Sequence, residues 1–374
     1  MNRSRRVLCA TASFFFAFAI WIHSEGASSP FPTIQGFGAN TRGGDGRAIV
    51  HVTNLNDAGP GSLRDAVSKG NRTVVFDVGG EIAVGSKYIE VLGAFVTIDG
   101  STAPPPGITV RNGGIRISGN NGAHDVIVRG IRIRNAPADG VQIFSAAYNV
   151  VIDHVAIHGS GDGNLDVTDG SRDVTISWSI FAEPLSRKSM LIKNNPSRIT
   201  LHHNIFVKGQ TRNPQVSIDQ AITADSDITL DMWNNLIYDW GSGYGTLIRN
   251  RARANIVNNF YSSNGGDKED ALIICSGADV NPKHARECSG GDTRSRARVY
   301  LRGNFSADNL SRDINALGNE GNPFPASYSP TQDACAAAQD AFANAGVRPL
   351  DAIDRHALSG VRLASCSAAV RRIQ

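Results

Sequence analysis

The sequence Ser160-Gly-Asp-Gly-Asn-Leu-Asp166 lies at the centre of a repeat that runs from Asp139 to Arg212. Starting at Asp139, polar or charged residues recur at Asn164, Lys188 and Arg212, at intervals of 25, 24 and 24 residues. A second series consists of Gly130, His154, Ser179 and Asn204, at intervals of 24, 25 and 25 residues, and each of them starts a short apolar motif. Two series that share one period indicate a repeat, and a period in the twenties is typical of a solenoid.

The repeat units are short β-branched runs, such as Asn149-Val-Val-Ile-Asp153 and Val174-Thr-Ile-Ser177. Leucine-rich repeats have a similar period, but their Leu-x-x-Leu-x-Leu signature is absent. The pattern therefore predicts an all-β parallel β-helix with one coil per period. Equivalent positions on successive coils would lie about 4.8 Å apart, the spacing of paired strands.

This register places five charged residues in one column on an outer face, with acids at one end and bases at the other: Asp139, Asp162, Asp166, Lys188 and Arg212. Carboxylate oxygens without His or Cys favour calcium over zinc. Three carboxylates fill only part of a coordination sphere of about 6–8 oxygens, so water or an anionic ligand must supply the rest. The two bases would attract such an anion. The column predicts an extended acidic polymer as the binding partner and Ca2+ as the cofactor.

The start of the chain has the pattern of a secretory signal. Residues 1–27 comprise a basic stretch with Arg3, Arg5 and Arg6, an apolar run and small residues near Ala27. The formal net charge of the 374-residue chain is +3, and without residues 1–27 it has 34 basic and 33 acidic residues. That balance argues against nucleic acid as a partner. We expect a secreted monomer, extracellular or periplasmic, with no membrane association once the signal is removed.

Four cysteines follow the predicted signal, and an even number in an exported chain favours disulfides. They are Cys275, Cys288, Cys335 and Cys366. Of the three possible connectivities we favour Cys275–Cys288 with Cys335–Cys366, because each pair would then close a local excursion. Metal binding by these cysteines is the weaker alternative, because the sequence has no C-x-x-C pair.

Both ends of the solenoid are predicted to have helical caps. At the N-terminal side, residues 59–67 form a short helix with Ser62 as its N-cap and Asp65 three residues later. At the C-terminal side, residues 331–346 form a helix that ends at Gly346. The predicted division is a signal at 1–27, a β-helix domain with its N-terminal cap at 28–325, and a C-terminal cap and tail at 326–374.

Two features are predicted beyond Arg212. Asparagines precede an apolar residue or pair at successive coils and are expected to form an internal ladder of amides that bond to open backbone groups: Asn204, Asn235, Asn259 and Asn304. The last interval between them is long, and we expect residues 267–298 to form a surface loop.

The ordered motifs resemble those of the secreted pectate lyases of polysaccharide lyase family 1. They are Val151-Ile-Asp-His154, Asp162-Gly-Asn-Leu-Asp-Val167, Val174-Thr-Ile-Ser-Trp178, Leu201-His-His-Asn204, Arg212-Asn-Pro214 and, near the N-terminus, the segment from Val52 to Asp65. The resemblance spans roughly residues 31–360, because Ala345-Gly-Val-Arg-Pro-Leu-Asp-Ala352 is similar to the family's C-terminal tail.

The resemblance implies a right-handed parallel β-helix that cleaves polygalacturonate by calcium-assisted β-elimination. Asp139, Asp162 and Asp166 match the calcium-binding carboxylates of the family. Lys188 matches the lysine that holds the substrate carboxylate, and Arg212 matches the arginine that removes the proton. Arg187 or Lys193, which lie near Lys188 in the sequence, could take its place. Asp153 and His154 match a structural motif of the family and are not counted in the site.

One position departs from the family pattern. The family usually has a second, substrate-binding arginine five residues after the catalytic one, and here that position is Ser217. Loss of a bidentate carboxylate contact predicts weaker or altered substrate binding, which Ser217→Arg is expected to restore. The alternatives are a non-catalytic or weakly active polysaccharide-binding relative, a β-helix glycoside hydrolase and a lyase for methylated pectin. The hydrolase lacks support because its Asn-Thr-Asp and Gly-His-Gly motifs are missing.

Overall fold

The computed structural model describes residues 33–218, 227–266, 270–276, 282–288, 296–308, 313–326 and 332–363. By its internal contacts the chain divides into Met1–Thr33 and Ile34–Gln374, and the description that follows concerns the second unit. The predicted signal at 1–27 lies outside the described residues, so it stays a prediction. No helix in the described ranges has the length and apolar character that a membrane span requires.

Most of the described chain is in short strands. In chain order they are β1 (Ala48–Val52), β2 (Arg72–Phe76), β3 (Gly80–Ala83), β4 (Tyr88–Val91), β5 (Val96–Asp99), β6 (Ile108–Arg111), β7 (Gly114–Ser118), β8 (His124–Arg129), β9 (Ile131–Arg134), β10 (Val141–Phe144), β11 (Tyr148–Asp153), β12 (Ala156–His158), β13 (Leu165–Thr168), β14 (Arg172–Ser177), β15 (Ile180–Ala182), β16 (Met190–Lys193), β17 (Ser197–His202), β18 (Ile205–Val207), β19 (Gln215–Ile218), β20 (Leu230–Trp233), β21 (Leu236–Tyr238), β22 (Thr246–Asn250), β23 (Arg253–Val257), β24 (Phe260–Ser262), β25 (Leu272–Ile274), β26 (Arg298–Arg302) and β27 (Phe305–Ser306).

These strands form three parallel sheets. Sheet A has the order β1-β2-β5-β8-β11-β14-β17-β20-β23-β26, sheet B runs from β3 through β6, β9 and every third strand to β27, and sheet C runs from β4 through β7, β10 and every third strand to β25. Because neighbours in a sheet are three strands apart in sequence, each coil contributes one strand to each sheet. The predicted parallel β-helix is therefore confirmed.

The core lies inside the coils, where side chains alternate in and out along each strand. In sheet C the inward residues Val141, Ile143, Leu165 and Val167 are fully buried. The residue between the last two is Asp166, which points to the outer face. This alternation explains why a functional column can be built on a strand whose neighbours are all apolar.

Helices cover parts of the coil stack. They are α1 (Leu63–Ala66), α2 (Ala285–Cys288), α3 (Ala334–Asn344) and α4 (Ala352–Leu358), with short 3-10 helices at Gly100–Thr102, Gly119–Asn121, Pro282–His284 and Ile314–Leu317. Ser62 is confirmed as the N-cap of α1, because its side chain accepts the N–H of Asp65, but the helix is shorter than the predicted 59–67. The α3 helix is shorter than the predicted 331–346: Asp333 caps its start, and Gly346 lies beyond its end with a positive φ.

The glycine-rich segment before β1 packs on one of the three sheets. In the structure it lies across the outer face of sheet A, where Phe37 N–H donates to Thr200 Oγ1, Gly38 N–H to Thr175 Oγ1 and Gly44 N–H to Thr97 Oγ1. A Cβ on Gly44 would lie 2.1 Å from the carbonyl oxygen of Arg72, so this approach requires glycine there.

The asparagine ladder is confirmed. Asn235 Oδ1 accepts hydrogen bonds from the backbone N–H and from the side-chain amide of Asn204, each at 3.0 Å. Asn259 Oδ1 accepts the same two hydrogen bonds from Asn235, each at 2.9 Å. The contacts continue from Asn259 to Asn304 and from Asn304 to Asn315. Asn315 is a rung that the sequence did not predict, because it lies only 11 residues after Asn304.

Replacing Asn235 with alanine should destabilise the fold by about 2–4 kcal/mol, since buried donors of Asn204 lose their acceptor and each unsatisfied group costs about 1–3 kcal/mol. We expect a lower midpoint in thermal or urea unfolding followed by circular dichroism. Asn120→Ala, on the exposed turn after β7, is the matched control. Equal midpoints for the two variants would mean that the ladder contributes little.

The disulfide Cys275–Cys288 is confirmed, with a Cα–Cα distance of 5.4 Å. Cys335 is also in a disulfide, but Cys366 lies outside the described residues, so the second pairing stays a prediction. The prediction of a surface loop over 267–298 is wrong in one respect. Residues 272–274 form β25, which pairs with β22, because the run of Leu272, Ile273 and Ile274 is apolar enough to continue the coil.

Candidate active site

The five predicted site residues lie at or near the starts of four consecutive strands of sheet C. Residue pairs in register are Val141 with Leu165, Leu165 with Met190 and Leu191 with Gln215. Asp139 precedes β10, Asp162 precedes β13, Asp166 is its second residue, and Lys188 and Arg212 precede β16 and β19. An isolated bridge pairs Lys188 with Thr211. The 24-residue period thus predicted the common location correctly.

Asp139 and Asp166 converge on one small space. The N–H of Gly163 donates to Asp139 Oδ1 at 2.9 Å, and the N–H of Leu191 donates to Asp166 Oδ1 at 3.1 Å. A Cβ on Gly163 would lie 2.6 Å from Asp166 Oδ1 and 3.1 Å from Asp139 Oδ1. The absent side chain of Gly163 therefore leaves a space that is lined by oxygens of both carboxylates.

Both carboxyl groups are buried, and their electrostatics reflect it. Burial raises the pKa of Asp139, and the charge of Asp162 adds to the rise, while the Gly163 N–H and Arg212 act in the opposite direction. Burial also raises the pKa of Asp166 well above its usual value, and repulsion from Asp139 adds to that. Two buried acids that repel each other form an environment that a cation would stabilise.

Asp162 has a different partner from the one predicted. Its Oδ1 lies 3.0 Å from Lys188 Nζ, and the two side chains are 54% and 39% exposed. The hydroxyl of Ser186 also donates to the Asp162 carbonyl. In the described part of the chain, no three His, Cys, Asp or Glu side chains are already grouped around a point that could hold a metal ion.

Arg212 precedes β19, two coils beyond the strand of Asp166, and its charge still acts on the acids. Its charge lowers the pKa of Asp139, Asp166 and Tyr244. Its backbone has φ +63, which is uncommon for a residue with a side chain and occurs preferentially at functional sites. The predicted order of the column is confirmed, because the acids belong to the coils of β10 and β13 and the bases to the coils of β16 and β19.

Ser217, the departure from the family pattern, has an arginine beside it. Ser217 and Arg249 are in register on β19 and β22. Ser217 Oγ accepts hydrogen bonds from Arg249 Nε and Asn250 Nδ2, each at 3.0 Å. Arg249 also donates to the carbonyl of Glu287 at 3.0 Å, next to the disulfide at Cys288. Sequence reasoning missed Arg249 because it lies 32 residues after Ser217, beyond the usual period.

The remaining residues named from the sequence lie around this site or outside it. Lys193 is in register with Ser217, and Arg187 has a positive φ in the loop before Lys188. Asp153 and His154 are away from the site on sheet A, where Asp153 accepts Ser177 Oγ at 2.6 Å and contacts His154 Nδ1 at 2.8 Å.

Comparisons with known proteins agree with the resemblance seen in the sequence. A curated relative from Aspergillus terreus, named probable pectate lyase C, is 38% identical over 251 residues, which cover 64% of this chain and 56% of the relative. The protein of the same name from Emericella nidulans is 36% identical over 238 residues, 62% of this chain and 53% of the relative. The chain thus spans about half the length of the curated relatives it matches. No family model matches it.

Solved structures show the same fold. A pectate lyase from a Bacillus species, determined in complex with trigalacturonate, superposes with a TM-score of 0.60 at 20% identity, covering 84% of this chain and 98% of that structure. At this identity the likeness establishes the parallel β-helix, and the chemistry of the site has to be argued from its residues.

Proposed function

We propose that this chain is a secreted, calcium-dependent pectate lyase, which cleaves polygalacturonate by β-elimination and releases unsaturated oligogalacturonates. The observation that carries the proposal is the convergence of Asp139 and Asp166 on the space at Gly163, beside Lys188 and Arg212. The relatives named probable pectate lyases support it. Hydrolase chemistry would instead require a general acid placed beside a second carboxylate, with room for a water or a glycosyl intermediate.

The donor set fits calcium. Asp139 and Asp166 offer oxygens that are already directed at one space, and Asp162, whose charge raises the pKa of both acids, is the proposed third ligand. Calcium, when bound, supplies positive charge that neutralises the substrate carboxylate next to the carbon that loses its proton. The residues that would hold it are thus Asp139, Asp162 and Asp166.

Lys188 has two roles in this proposal. Without substrate its ammonium group is paired with Asp162. When Asp162 turns toward the acid pair, the ammonium group becomes available to a substrate carboxylate. Since exposed ion pairs contribute only about 0–1 kcal/mol, this exchange of partners has a small cost.

Arg212 is the proposed proton acceptor. The C5 proton of a galacturonate lies α to its carboxylate, and the neutral guanidine takes that proton. The electrons of the C–H bond then form the C4–C5 double bond, and the bond from C4 to its glycosidic oxygen breaks. That oxygen leaves with the bonding pair and takes a proton from water. Lys188 stabilises the charge that develops on the carboxylate.

An acidic polysaccharide outside the cytoplasm is the proposed partner, bound by a monomer. The disulfide Cys275–Cys288 supports an oxidising compartment. The outer face of sheet C presents the cations for a polyanion, and Arg249 extends them by one coil beyond Arg212.

The test is ultraviolet absorbance of the product on polygalacturonate, with added calcium and then with a chelator. We expect absorbance from the new double bond with calcium, its loss with chelator, and less product from highly methylated pectin. Reducing ends that appear without that absorbance would identify a hydrolase. Binding of the polymer without any cleavage would favour a non-catalytic relative, and activity on methylated pectin that resists chelation would favour a pectin lyase.

Arg249 should contribute to substrate affinity. We expect Arg249→Gln to raise KM for polygalacturonate about tenfold, which corresponds to about 1.4 kcal/mol, with kcat nearly unchanged. The reason is that the variant loses a charged contact that is present in the bound substrate and in the transition state alike. Contrary to the expectation from the family pattern, Ser217→Arg should not improve KM, since Ser217 is fully buried and a second guanidinium would lie against Arg249. Steady-state kinetics measure both effects, and Arg302→Gln on the exposed edge of sheet A is the control. An unchanged KM for Arg249→Gln would place the substrate elsewhere.

A further inference from the structure

Tyr88 connects the acid pair to a strand two coils away. It lies at the start of β4 and is only 9% exposed. Its hydroxyl oxygen lies 3.3 Å from Asp139 Oδ2 and 3.3 Å from the backbone nitrogen of Asp139. The hydroxyl can therefore accept the N–H of Asp139 and donate its own hydrogen to the carboxylate of the same residue.

The coil between these residues provides the room for this contact. Tyr88 is in register with Gly114 on β7, and a Cβ on Gly114 would lie 2.3 Å from the carbonyl oxygen of Asp139. Any other residue at 114 would push the Asp139 backbone away. The tyrosine ring itself is held by Arg116, whose guanidinium carbon lies 5.2 Å from the ring centroid.

The two oxygens of Asp139 are thus fixed by separate donors. Gly163 N–H bonds to Oδ1 from the following coil, and Tyr88 bonds to Oδ2 from the preceding coils. A carboxylate with both oxygens bonded has one orientation available to it.

We propose that Tyr88 is a positioning residue for cation binding, which holds the Asp139 carboxylate toward Asp166 through a hydrogen bond that spans two coils. The inference rests on the proposed function in that it takes Asp139 as a calcium ligand. Partners of this kind, which orient a ligand without touching the metal, typically change metal affinity by 10–100-fold when they are removed. The effect comes from pre-organisation, because the free carboxylate no longer has to be ordered on binding.

The experiment is calcium titration of the metal-free, full-length secreted protein by isothermal calorimetry, without substrate. Tyr88→Phe removes only the hydroxyl, and we expect the Kd for calcium to rise about tenfold at an unchanged stoichiometry. Tyr148→Phe makes the same chemical change on sheet A and should leave the Kd as in the wild type. The melting temperature in chelator distinguishes a general loss of packing from a loss of affinity.

A double-mutant cycle shows whether Tyr88 acts through Asp139. Adding Tyr88→Phe to Asp139→Asn should have no further effect on calcium affinity, since the carboxylate that it orients is gone. Equal calcium affinities for Tyr88→Phe and the wild type would overturn the inference, and so would additive effects in the cycle. A wild type that binds no calcium would overturn the calcium site itself, together with the role of Tyr88. A wild type that binds calcium but cleaves nothing would refute the lyase and leave the positioning role intact.

Discussion

Replacing Arg212 with lysine is expected to lower kcat on polygalacturonate by about 10³-fold, within the 10²–10⁴ range of a lost general base. Lysine keeps the positive charge near Asp139 and Asp166 but moves the proton acceptor away from the C5 position. Substrate binding depends mainly on that charge, so KM should change little. The positive φ at residue 212 sets the direction in which this side chain leaves the backbone.

Steady-state kinetics with saturating calcium would measure this loss. The control is Arg302→Lys, an exposed arginine of β26 on sheet A, which should retain full turnover. Circular dichroism and calcium binding should be the same for both variants and the wild type. If Arg212→Lys kept most of its kcat while KM rose, Arg212 would be a substrate-binding residue and another group would take the proton.

The sequence was sufficient to predict the coil and the common position of the site. Side chains one period apart must lie side by side when each coil contributes one strand to each sheet, so an interval of 24 or 25 residues translates directly into a contact. That is why Asp139, Asp166, Lys188 and Arg212 were grouped correctly. The asparagine ladder follows from the same argument.

Periodicity gave no information about which way a side chain turns. Asp162 and Lys188 share a column, and their mutual attraction brings them to 3.0 Å, which no interval could reveal. Contacts across insertions were also lost. Arg249 is adjacent to Ser217 in space, but the extra residues between β19 and β22 break the count, so the sequence did not reveal an arginine beside Ser217.

Tyr88 is a further residue whose role the sequence pattern did not predict. It lies 51 residues before Asp139, which is about two periods, so the register alone could have placed it in the same column. A tyrosine in a β-strand pattern is ordinarily interpreted as a packing residue, and only the structure shows that its hydroxyl contacts a carboxylate. Chemistry that depends on one hydrogen bond between distant coils needs the structure.

Asp166→Asn is expected to abolish activity at low calcium, with a loss of at least about 100-fold, while the fold is retained. The amide keeps the size of the side chain and an oxygen that can accept the Leu191 N–H. It removes one of the three charges that would hold the cation. In chelator the variant should melt at the same temperature as the wild type or higher, because a buried acid whose pKa is raised by burial and by Asp139 no longer has to be accommodated.

Thermal unfolding and activity, each measured over a calcium series, test this expectation together. In the wild type, calcium should raise the melting temperature, since a ligand that binds only the folded state stabilises it. In Asp166→Asn that rise should be lost over the range in which the wild type responds. Asp169→Asn, an exposed aspartate that follows the same strand, should behave like the wild type. If Asp166→Asn retained both the calcium-dependent rise and the activity, the cation would have to bind away from Gly163. The space between the two buried carboxylates would then need another explanation.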